Sequence, residues 1–459
     1  MSGPAAREEA ALVRGLGTWD ATSITVGSVI GTGIFLTTAD IARVLPHPGL
    51  ILLVWVAGGL VTLAGALTYG ELGAMFPRAG GAYVYLKEAY GPLWGFLYGW
   101  VAFLVIMCGG IAALSVGFAE YLGAFLPFFS TKNVLFAVSL GGWSWSVSGG
   151  QVAAVVTIAF LSAVNYAGLR EGAGLQNVVT VIKIGSILAL GLLGLVVPAP
   201  VAPALFASLP DTGLLASLGV AMIAVFWTFD GWYGAASMAG EMRTPERSLP
   251  RGLVAGTLIV TALYVLLNLA YLRALPVEAM GGSERIAEAA AGALFGPLGS
   301  RLVSLAVLIS TFGCLSATIL YAARIYLPMA EDGLFFRSLA RVHPRFRTPG
   351  ACILAQGLWS GLLALSGTYE QLYTYSTFAV VFFYGATGAA VLVLRRSRPE
   401  ASRPYRVWGY PFVPAAFVLV SLAFVANTLL ERPTQALAGL GLMALGLPAY
   451  AWWRARPRP

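Results

Sequence analysis

Two short stretches decide the fold of this chain: residues 27–35, GSVIGTGIF, and residues 226–231, FWTFDG. Each lies near the middle of a long apolar segment, where an uninterrupted helix would otherwise be expected. Glycine allows backbone torsions that other residues avoid, and irregular backbone at membrane depth is tolerated only where it lines a protected cavity. The two stretches therefore predict two membrane-spanning helices that are interrupted at mid-span.

The composition places the chain in a membrane. Its 459 residues are 58% hydrophobic and 10% charged, against roughly 25% charged residues in a soluble domain. Apolar stretches recur at the length of roughly 20 residues that one helix needs to cross a bilayer, without the β-type alternation of an outer-membrane barrel. We predict an all-α integral membrane protein with twelve transmembrane helices. They lie at residues 18–43, 49–75, 92–126, 150–167, 174–197, 212–240, 251–274, 299–327, 350–366, 369–394, 408–430 and 433–453.

Positive charge is distributed unevenly along the chain. If both termini are cytoplasmic, most of the 28 Lys and Arg residues fall in cytoplasmic loops, as the positive-inside rule requires. The net charge of +8 therefore reports topology and gives no reason to expect a nucleic-acid partner. Residues 1–17 lack the apolar core of a cleaved signal peptide, so we expect a cytoplasmic N-terminal segment and a multi-pass protein of the cell membrane.

The two interrupted helices are the first and the sixth, five predicted spans apart. Because five is odd, a repeat of five helices inserts its second copy upside down, as in transporters built on inverted repeats. We expect a first repeat at residues 18–197, a second at residues 198–394, and two further spans with a short cytoplasmic C-terminus at residues 395–459. The alternative is that the spacing of Gly27 and Gly31 only lets two helices pack closely.

A helix broken in mid-membrane exposes peptide N–H groups at one end of the break and carbonyls at the other. The N–H groups at the first break suit a carboxylate, and the carbonyls at the second break suit an ammonium group. An α-amino acid presents both groups. The residues concerned are Gly31, Thr32 and Gly33 at the first break, and Trp227, Thr228 and Asp230 at the second.

The side chains at the second break have two possible roles each. Phe226, Trp227 and Phe229 are candidates for the pocket wall and gate, with ordinary helix packing as the alternative. Asp230 could reach into the pocket and favour cationic substrates, or it could turn into the break and cap backbone N–H groups. We favour the second orientation, which leaves the pocket selective for neutral side chains.

Lys183 lies deep within the fifth span, where an ionisable group is functional by default. The alternative is that its side chain reaches the cytoplasmic interface. If it is buried, we expect its ammonium to bond carbonyls of the first helix near Gly27 and hydroxyls of the eighth helix at Ser310 and Thr311. Burial also favours the neutral amine, so Lys183 could instead couple transport to protons.

Residues typical of enzyme and metal sites are sparse. His47 and His343 have no carboxylate or cysteine at metal-ligand spacing. Cys108, Cys314 and Cys352 all fall inside predicted spans, which favours packing roles over a disulfide or a metal cluster. The sequence therefore predicts no enzyme, no metal site and no cofactor.

Several motifs together resemble the amino acid/polyamine/organocation (APC) superfamily, in particular its L-type amino acid exchangers and the bacterial serine/threonine or alanine-serine-cysteine exchangers. They are residues 27–35, FDGW at 229–232, AGEM at 239–242 with PERSLP at 245–250, FPRAGG at 76–81, and residues 310–324. The resemblance implies a LeuT-like fold of ten core helices in two inverted repeats plus two more, working by alternating access.

The resemblance also implies a role for individual positions. The substrate carboxylate would sit on Val29, Gly31, Thr32 and Gly33, and its amino group on Trp227, Thr228 and Asp230. Lys183 matches a lysine that stands in for a sodium site in sodium-independent relatives.

Two departures from the family refine the expected function. Animal L-type chains carry a cysteine that links them to a glycoprotein subunit, and residues 126–151 contain none, so no such subunit is expected. Trp227 stands where relatives often have Phe, and a bulkier gate would shrink the pocket. We therefore expect a sodium-independent antiporter of small neutral L-amino acids of the alanine, serine, threonine, glycine or cysteine class. The alternatives are a proton-coupled importer of cationic amino acids or polyamines, and a transport-dead amino acid sensor.

Overall fold

The computed structural model describes residues 12, 14–140, 143–198, 200–206, 208, 213–367 and 369–455. Most of the predicted cytoplasmic segment at residues 1–17 therefore lies outside the described residues. The described helices are α1 Thr18–Val29, α2 Gly33–Leu36, α3 Thr38–Val44, α4 Pro48–Met75, α5 Ala82–Tyr90, α6 Pro92–Val101, α7 Met107–Leu122, α8 Gly149–Ala167, α9 Leu169–Val196, α10 Leu214–Phe229, α11 Gly234–Ser237, α12 Pro245–Ala274, α13 Val277–Gly282, α14 Ile286–Glu331, α15 Gly350–Ala364, α16 Tyr369–Ser397, α17 Phe412–Glu431 and α18 Pro433–Arg454.

Most of these helices are long and apolar enough to cross a membrane. Nine helices in the described part of the chain meet that condition, with α6 and α7 joined into one through a π-helical turn. A tenth candidate is the bent pair Thr18–Leu36 and Thr38–Val44, whose axes differ by 49°. The apolar helices α10 and α15 are shorter and coincide with the predicted sixth and ninth spans. The chain is therefore a multi-pass helical membrane protein.

The helices pack in two groups around the broken segments. In the first group α12 packs on both α4 and α1, and α10 also packs on α4. In the second group α7, α8, α14 and α15 all contact one another. Helix α9 contacts both groups through α12 and α14, and α16 contacts α7, α10 and α17. The site described below lies where α1 and α10 meet α7 and α14.

Both ends of the described chain lie on the same face, which we call the terminus face. Leu16 forms a β-bridge with Met242, and the neighbouring Glu241 pairs with Arg324 near the end of α14. The C-terminal helix α18 packs through Trp453 on the loop that follows α14. An even number of spans is needed to bring the two ends together.

One region departs from the all-α prediction. Strands β1 Val134–Leu140 and β2 Trp143–Ser148 form an antiparallel pair between α7 and α8, on the face opposite the termini. The alternating segment WSWSVS at 143–148 carried the signal for a strand. The sequence prediction missed the strands because each is only six or seven residues long and lies between two long apolar segments. Trp145 ties the pair to the end of α15 by donating to the Leu365 carbonyl at 2.8 Å.

Helix α14 begins earlier than the predicted eighth span, which starts at residue 299. It contains a kink at Gly296, whose φ of 71° is accessible mainly to glycine. Pro297 follows and starts the next helical segment, a position where its missing N–H costs nothing. The part of α14 before the kink is therefore a separate short helical arm, and the part after it corresponds to the predicted span.

Candidate functional site

The first predicted break is present. Helix α1 ends at Val29, α2 begins at Gly33, and residues 30–32 are not helical. A Cβ atom on Gly33 would lie 2.9 Å from the Thr228 Cα atom, closer than such atoms approach in proteins. Glycine at this position therefore allows the chain to approach the end of α10.

The second break faces the first. Helix α10 ends at Phe229 and α11 begins at Gly234. Gly231 between them has a φ of 94°, and a Cβ there would lie 2.8 Å from the Ser28 carbonyl oxygen. A side chain at Gly231 would be both strained and in collision with α1. The two breaks are thus in direct backbone contact.

A small cavity lies between the breaks. Its volume is about 30 Å³, enough for about two water molecules. Helices α7 and α14 complete its wall through Gly110, Leu114, Cys314 and Tyr321. The structure brings together in its lining all the predicted substrate-binding residues except Thr32, namely Val29, Gly31, Gly33, Trp227, Thr228 and Asp230.

Peptide groups at the two breaks are only partly used by the protein. The Thr32 N–H has no backbone acceptor in the described chain. The Trp227 carbonyl accepts from the Asp230 N–H at 3.1 Å, and the Tyr264 hydroxyl lies 3.1 Å from both the Val29 and Thr228 carbonyls. A carbonyl oxygen can accept two hydrogen bonds. The first break can therefore still donate and the second can still accept, as a zwitterion requires.

Lys183 is fully buried against the first break. Its Nζ donates to the Gly27 carbonyl at 2.8 Å and to the Ile30 carbonyl at 2.9 Å, so the alternative that it reaches the interface is wrong. The expected bonds from Lys183 to hydroxyls of α14 are wrong, because Ser310 Oγ donates to the same Ile30 carbonyl at 3.2 Å and Thr311 Oγ1 is buried without a hydrogen-bond partner. Consecutive helical residues point about 100° apart, so only one of the two hydroxyls can face α1.

Asp230 lines the cavity and is held by a tyrosine. Its Oδ1 accepts a hydrogen bond from the Tyr384 hydroxyl of α16 at 2.5 Å, and the Gly231 N–H is a further partner. The expectation that the carboxylate turns away from the pocket to cap backbone N–H groups needs correction. It does meet a backbone N–H, but it also remains part of the cavity wall.

The three aromatic residues of the second break separate into two roles. Trp227 lines the cavity and stacks on Tyr373 at a centroid distance of 5.7 Å. Phe226 instead packs on Phe424 of α17, and Phe229 packs on Trp55 and Tyr264. Residues 226 and 229 are three apart and share a helix face that Trp227 does not. Only Trp227 is placed where a gate could act, so the gate expectation is corrected for the other two.

Tyr369 of α16 closes the cavity on the face opposite the termini. Its hydroxyl lies 3.1 Å from Thr32 Oγ1 and accepts a hydrogen bond from Trp227 Nε1 at 2.9 Å. One hydroxyl thus joins both broken helices. Sequence reasoning missed Tyr369, Tyr264 and Tyr384, because nothing distinguishes them locally from the other 16 tyrosines of the 19 in the chain.

Towards the terminus face, a buried ion pair lies below the cavity. Arg324 and Glu241 are both fully buried, and the Arg324 Nε donates to the carboxylate at 2.7 Å. The Glu241 carbonyl also accepts from the N–H groups of Gly15 and Leu16, at 2.8 and 3.0 Å. The segment before α1 is therefore fixed beneath the second break.

The cysteines do not share one role. Cys108 and Cys352 are buried and unpaired, in keeping with packing. Cys314 lines the cavity, and its Sγ lies 2.9 Å from the Ser28 carbonyl, so the packing prediction is incomplete for this residue. Within the described residues, no group of three or more His, Cys, Asp or Glu side chains could hold a metal ion.

Comparison with known proteins agrees with this geometry. The amino acid permease family matches residues 16–442. A serine/threonine exchanger of Bacillus subtilis is 32% identical over 98% of this chain and 99% of its own length. The human b(0,+)-type amino acid transporter 1 is 30% identical over 92% of this chain and 84% of its own length. The mouse large neutral amino acids transporter small subunit 2 is 29% identical over 98% and 83%. The chain therefore belongs to the amino acid permease family of the APC superfamily, among its L-type members, and is an amino acid transporter and not an enzyme.

Proposed function

We propose that this protein is a sodium-independent exchanger of small neutral L-amino acids, working by alternating access in the cell membrane. The observation that carries the proposal is the cavity between the two helix breaks, with an unused N–H group next to its lining at Thr32 and free carbonyl capacity within it at Trp227 and Thr228. Backbone groups recognise the constant part of an amino acid in this arrangement. The remaining wall then selects the side chain.

The packing supports a LeuT-like arrangement of twelve spans, with two inverted repeats at residues 18–197 and 198–394. Helices α1, α4, α7 and α8 have counterparts five predicted spans later in α10, α12, α14 and α15. Each packing group contains two such pairs, as expected if the groups exchange positions by rocking. The positive-inside rule and the shared face of the chain ends favour cytoplasmic termini.

Lys183 supports sodium independence. Its ammonium, on the Gly27 and Ile30 carbonyls, supplies a fixed positive charge where the end of α1 would otherwise need a bound cation. Gly27 and Ser310 belong to the same cluster, and Thr311 lies next to it on α14. We propose that this cluster couples α1 to the second packing group.

Trp227 supports a preference for small substrates. Its indole ring lines the cavity and is fixed by Tyr369 and Tyr373, so space beside the second break is limited. The Bacillus subtilis relative is named as an exchanger of serine and threonine. We propose the alanine, serine, threonine, glycine or cysteine class as substrates and exchange as the mode of transport.

One relative is named as a subunit of a larger assembly. The mouse relative is named as a small subunit, which implies a larger partner for that protein. The present chain has no cysteine in residues 126–151, the region where the resemblance to animal L-type chains implies a linking cysteine. We propose that it works without a disulfide-linked glycoprotein subunit.

A counterflow experiment tests the proposal. Purified protein in liposomes loaded with unlabelled serine should take up labelled serine, whereas empty liposomes should not, and neither sodium nor a pH gradient should change the result. Unlabelled alanine should compete better than leucine. Uptake of labelled arginine into empty liposomes under a pH gradient would favour the proton-coupled alternative instead.

One observation favours a cationic substrate. The carboxylate of Asp230 forms part of the cavity wall, where it could bind a positively charged side chain. Its bond with Tyr384 already satisfies one carboxylate oxygen. We therefore propose that Asp230 shapes the second break and that neutral substrates are preferred.

The remaining alternative is an amino acid sensor that does not transport. Binding of serine to the purified protein without any counterflow would indicate this alternative.

A further inference from the structure

A second, larger cavity lies beyond Tyr369, on the face away from the termini. We call it the vestibule. Its volume is about 370 Å³, and its lining includes Glu120, Thr131, Ser146, Tyr369 and Gln371. Among its described lining residues, Glu120 carries the one charge. The same Tyr369 side chain thus borders the vestibule and holds the two helix breaks closed.

Helix α7 connects the vestibule to the central cavity along one face. Gly110 and Leu114 line the central cavity, Gly117 packs against Thr32, and Glu120 lines the vestibule. The spacing of three or four residues places these positions on one side of the helix. At 1.5 Å per residue, Glu120 lies about 9 Å beyond Leu114. A solute bound at Glu120 is thus in line with the central cavity.

The carboxylate of Glu120 has capacity for another partner. Its Oε1 accepts a hydrogen bond from Thr131 Oγ1 at 2.9 Å, and Glu120 forms no salt bridge with any described residue. The nearest cations are engaged elsewhere. Lys132 pairs with Glu284 at 2.7 Å, and Arg285 pairs with an acidic residue of α14 at 3.1 Å.

We propose that the vestibule is an entry site that binds the α-ammonium group of an incoming amino acid on Glu120 before Tyr369 moves. This inference rests on the proposed amino acid transport. A carboxylate in a polar cavity attracts ammonium groups and repels a side-chain carboxylate, so the site also disfavours acidic amino acids. Selection by charge therefore begins before the central cavity is reached.

The test compares Glu120→Gln with the wild type in right-side-out and everted membrane vesicles, measuring labelled serine exchange. From the vestibule face, E120Q should raise KM about two- to fivefold, the range for a partly solvated ion pair. KM from the terminus face should stay unchanged, and the maximal rate should be unaffected. Glu120→Asp keeps the charge and should retain most of the wild-type affinity.

Glu278→Gln is the matched control, because it removes an exposed carboxylate of α13 that does not line the vestibule. KM should remain at the wild-type value. An unchanged KM in E120Q, or an equal rise in E278Q, would overturn the entry site, since the second result would mean that the overall charge of this face, and not Glu120, sets the KM. If the wild type shows no exchange at all, the proposed function fails and the entry site falls with it.

Discussion

The two sides of the central cavity are held by different chemistry. Towards the terminus face, two buried cations make the contacts, Arg324 with Glu241 and Lys183 with the carbonyls of α1. Towards the vestibule, the contacts pass through the hydroxyls of Tyr369 and Tyr373. Breaking a buried charge contact leaves a charge without compensation, whereas losing one hydrogen bond from a tyrosine hydroxyl costs less. The contacts on the terminus side are therefore expected to be stronger than those on the vestibule side.

Arg324→Ala should have the largest effect, because it leaves Glu241 buried and unpaired. Removing one partner of such a pair costs about 3 to 5 kcal/mol. The melting temperature of the purified protein should fall strongly, or the yield of folded protein should collapse. Arg78→Ala, which removes an exposed contact to Glu88, is the control and should cost less than about 1 kcal/mol. Equal stability of the two variants would contradict the comparison.

Lys183→Ala should have the second-largest effect, and this effect should be on transport and not on folding. It removes two charge-assisted hydrogen bonds to Gly27 and Ile30, and such bonds are worth about 1.5 to 3 kcal/mol each. We expect serine counterflow to fall about tenfold or more while membrane insertion is retained. Lys132→Ala, at an exposed ion pair, should transport normally. Unchanged counterflow in K183A would reduce Lys183 to a packing residue.

Tyr369→Phe should weaken the contacts that close the central cavity on the vestibule side. The variant keeps the ring and removes one hydroxyl that joins Thr32 to Trp227, a loss of about 0.5 to 1.5 kcal/mol. In a background without Cys108 and Cys352, a membrane-impermeant thiol reagent should modify Cys314 about two- to tenfold faster from the vestibule face.

Tyr90→Phe is a suitable control for that measurement, because the Tyr90 hydroxyl bonds the Ala386 carbonyl away from the cavity. A rate in Y369F no faster than in Y90F would show that the hydroxyl does not hold the vestibule side closed.

Tyr373→Phe should have the smallest effect. Its hydroxyl bonds Asp40 at 2.9 Å, but Asp40 also pairs with Arg43, and the stacking of the ring on Trp227 is retained. We expect Cys314 modification to change less than about twofold, below the effect of losing a fully buried hydrogen bond. If Y373F changed the rate of Cys314 modification more than Y369F does, the main contact that closes the vestibule side would be that of Tyr373 with Asp40, and not that of Tyr369.

Several features could be predicted from the sequence because their signals are local. Glycine at positions 31 and 231 marked both helix breaks, and the depth of Lys183 in an apolar segment implied a buried partner. The motifs around residues 27–35 and 229–250 identified the family. The two strands between α7 and α8 were not predicted although their alternation is local, because each covers only six or seven residues between two long apolar spans.

The sequence by itself determined that the chain is a membrane protein with two interrupted helices, since composition and glycine placement act over a few neighbouring residues. Only the tertiary structure decided which side chains close the cavity. Tyr369 meets Thr32 across 337 residues, and Arg324 meets Glu241 across 83. No pattern along the chain records such pairs, because they depend on how helices distant in sequence pack around the breaks.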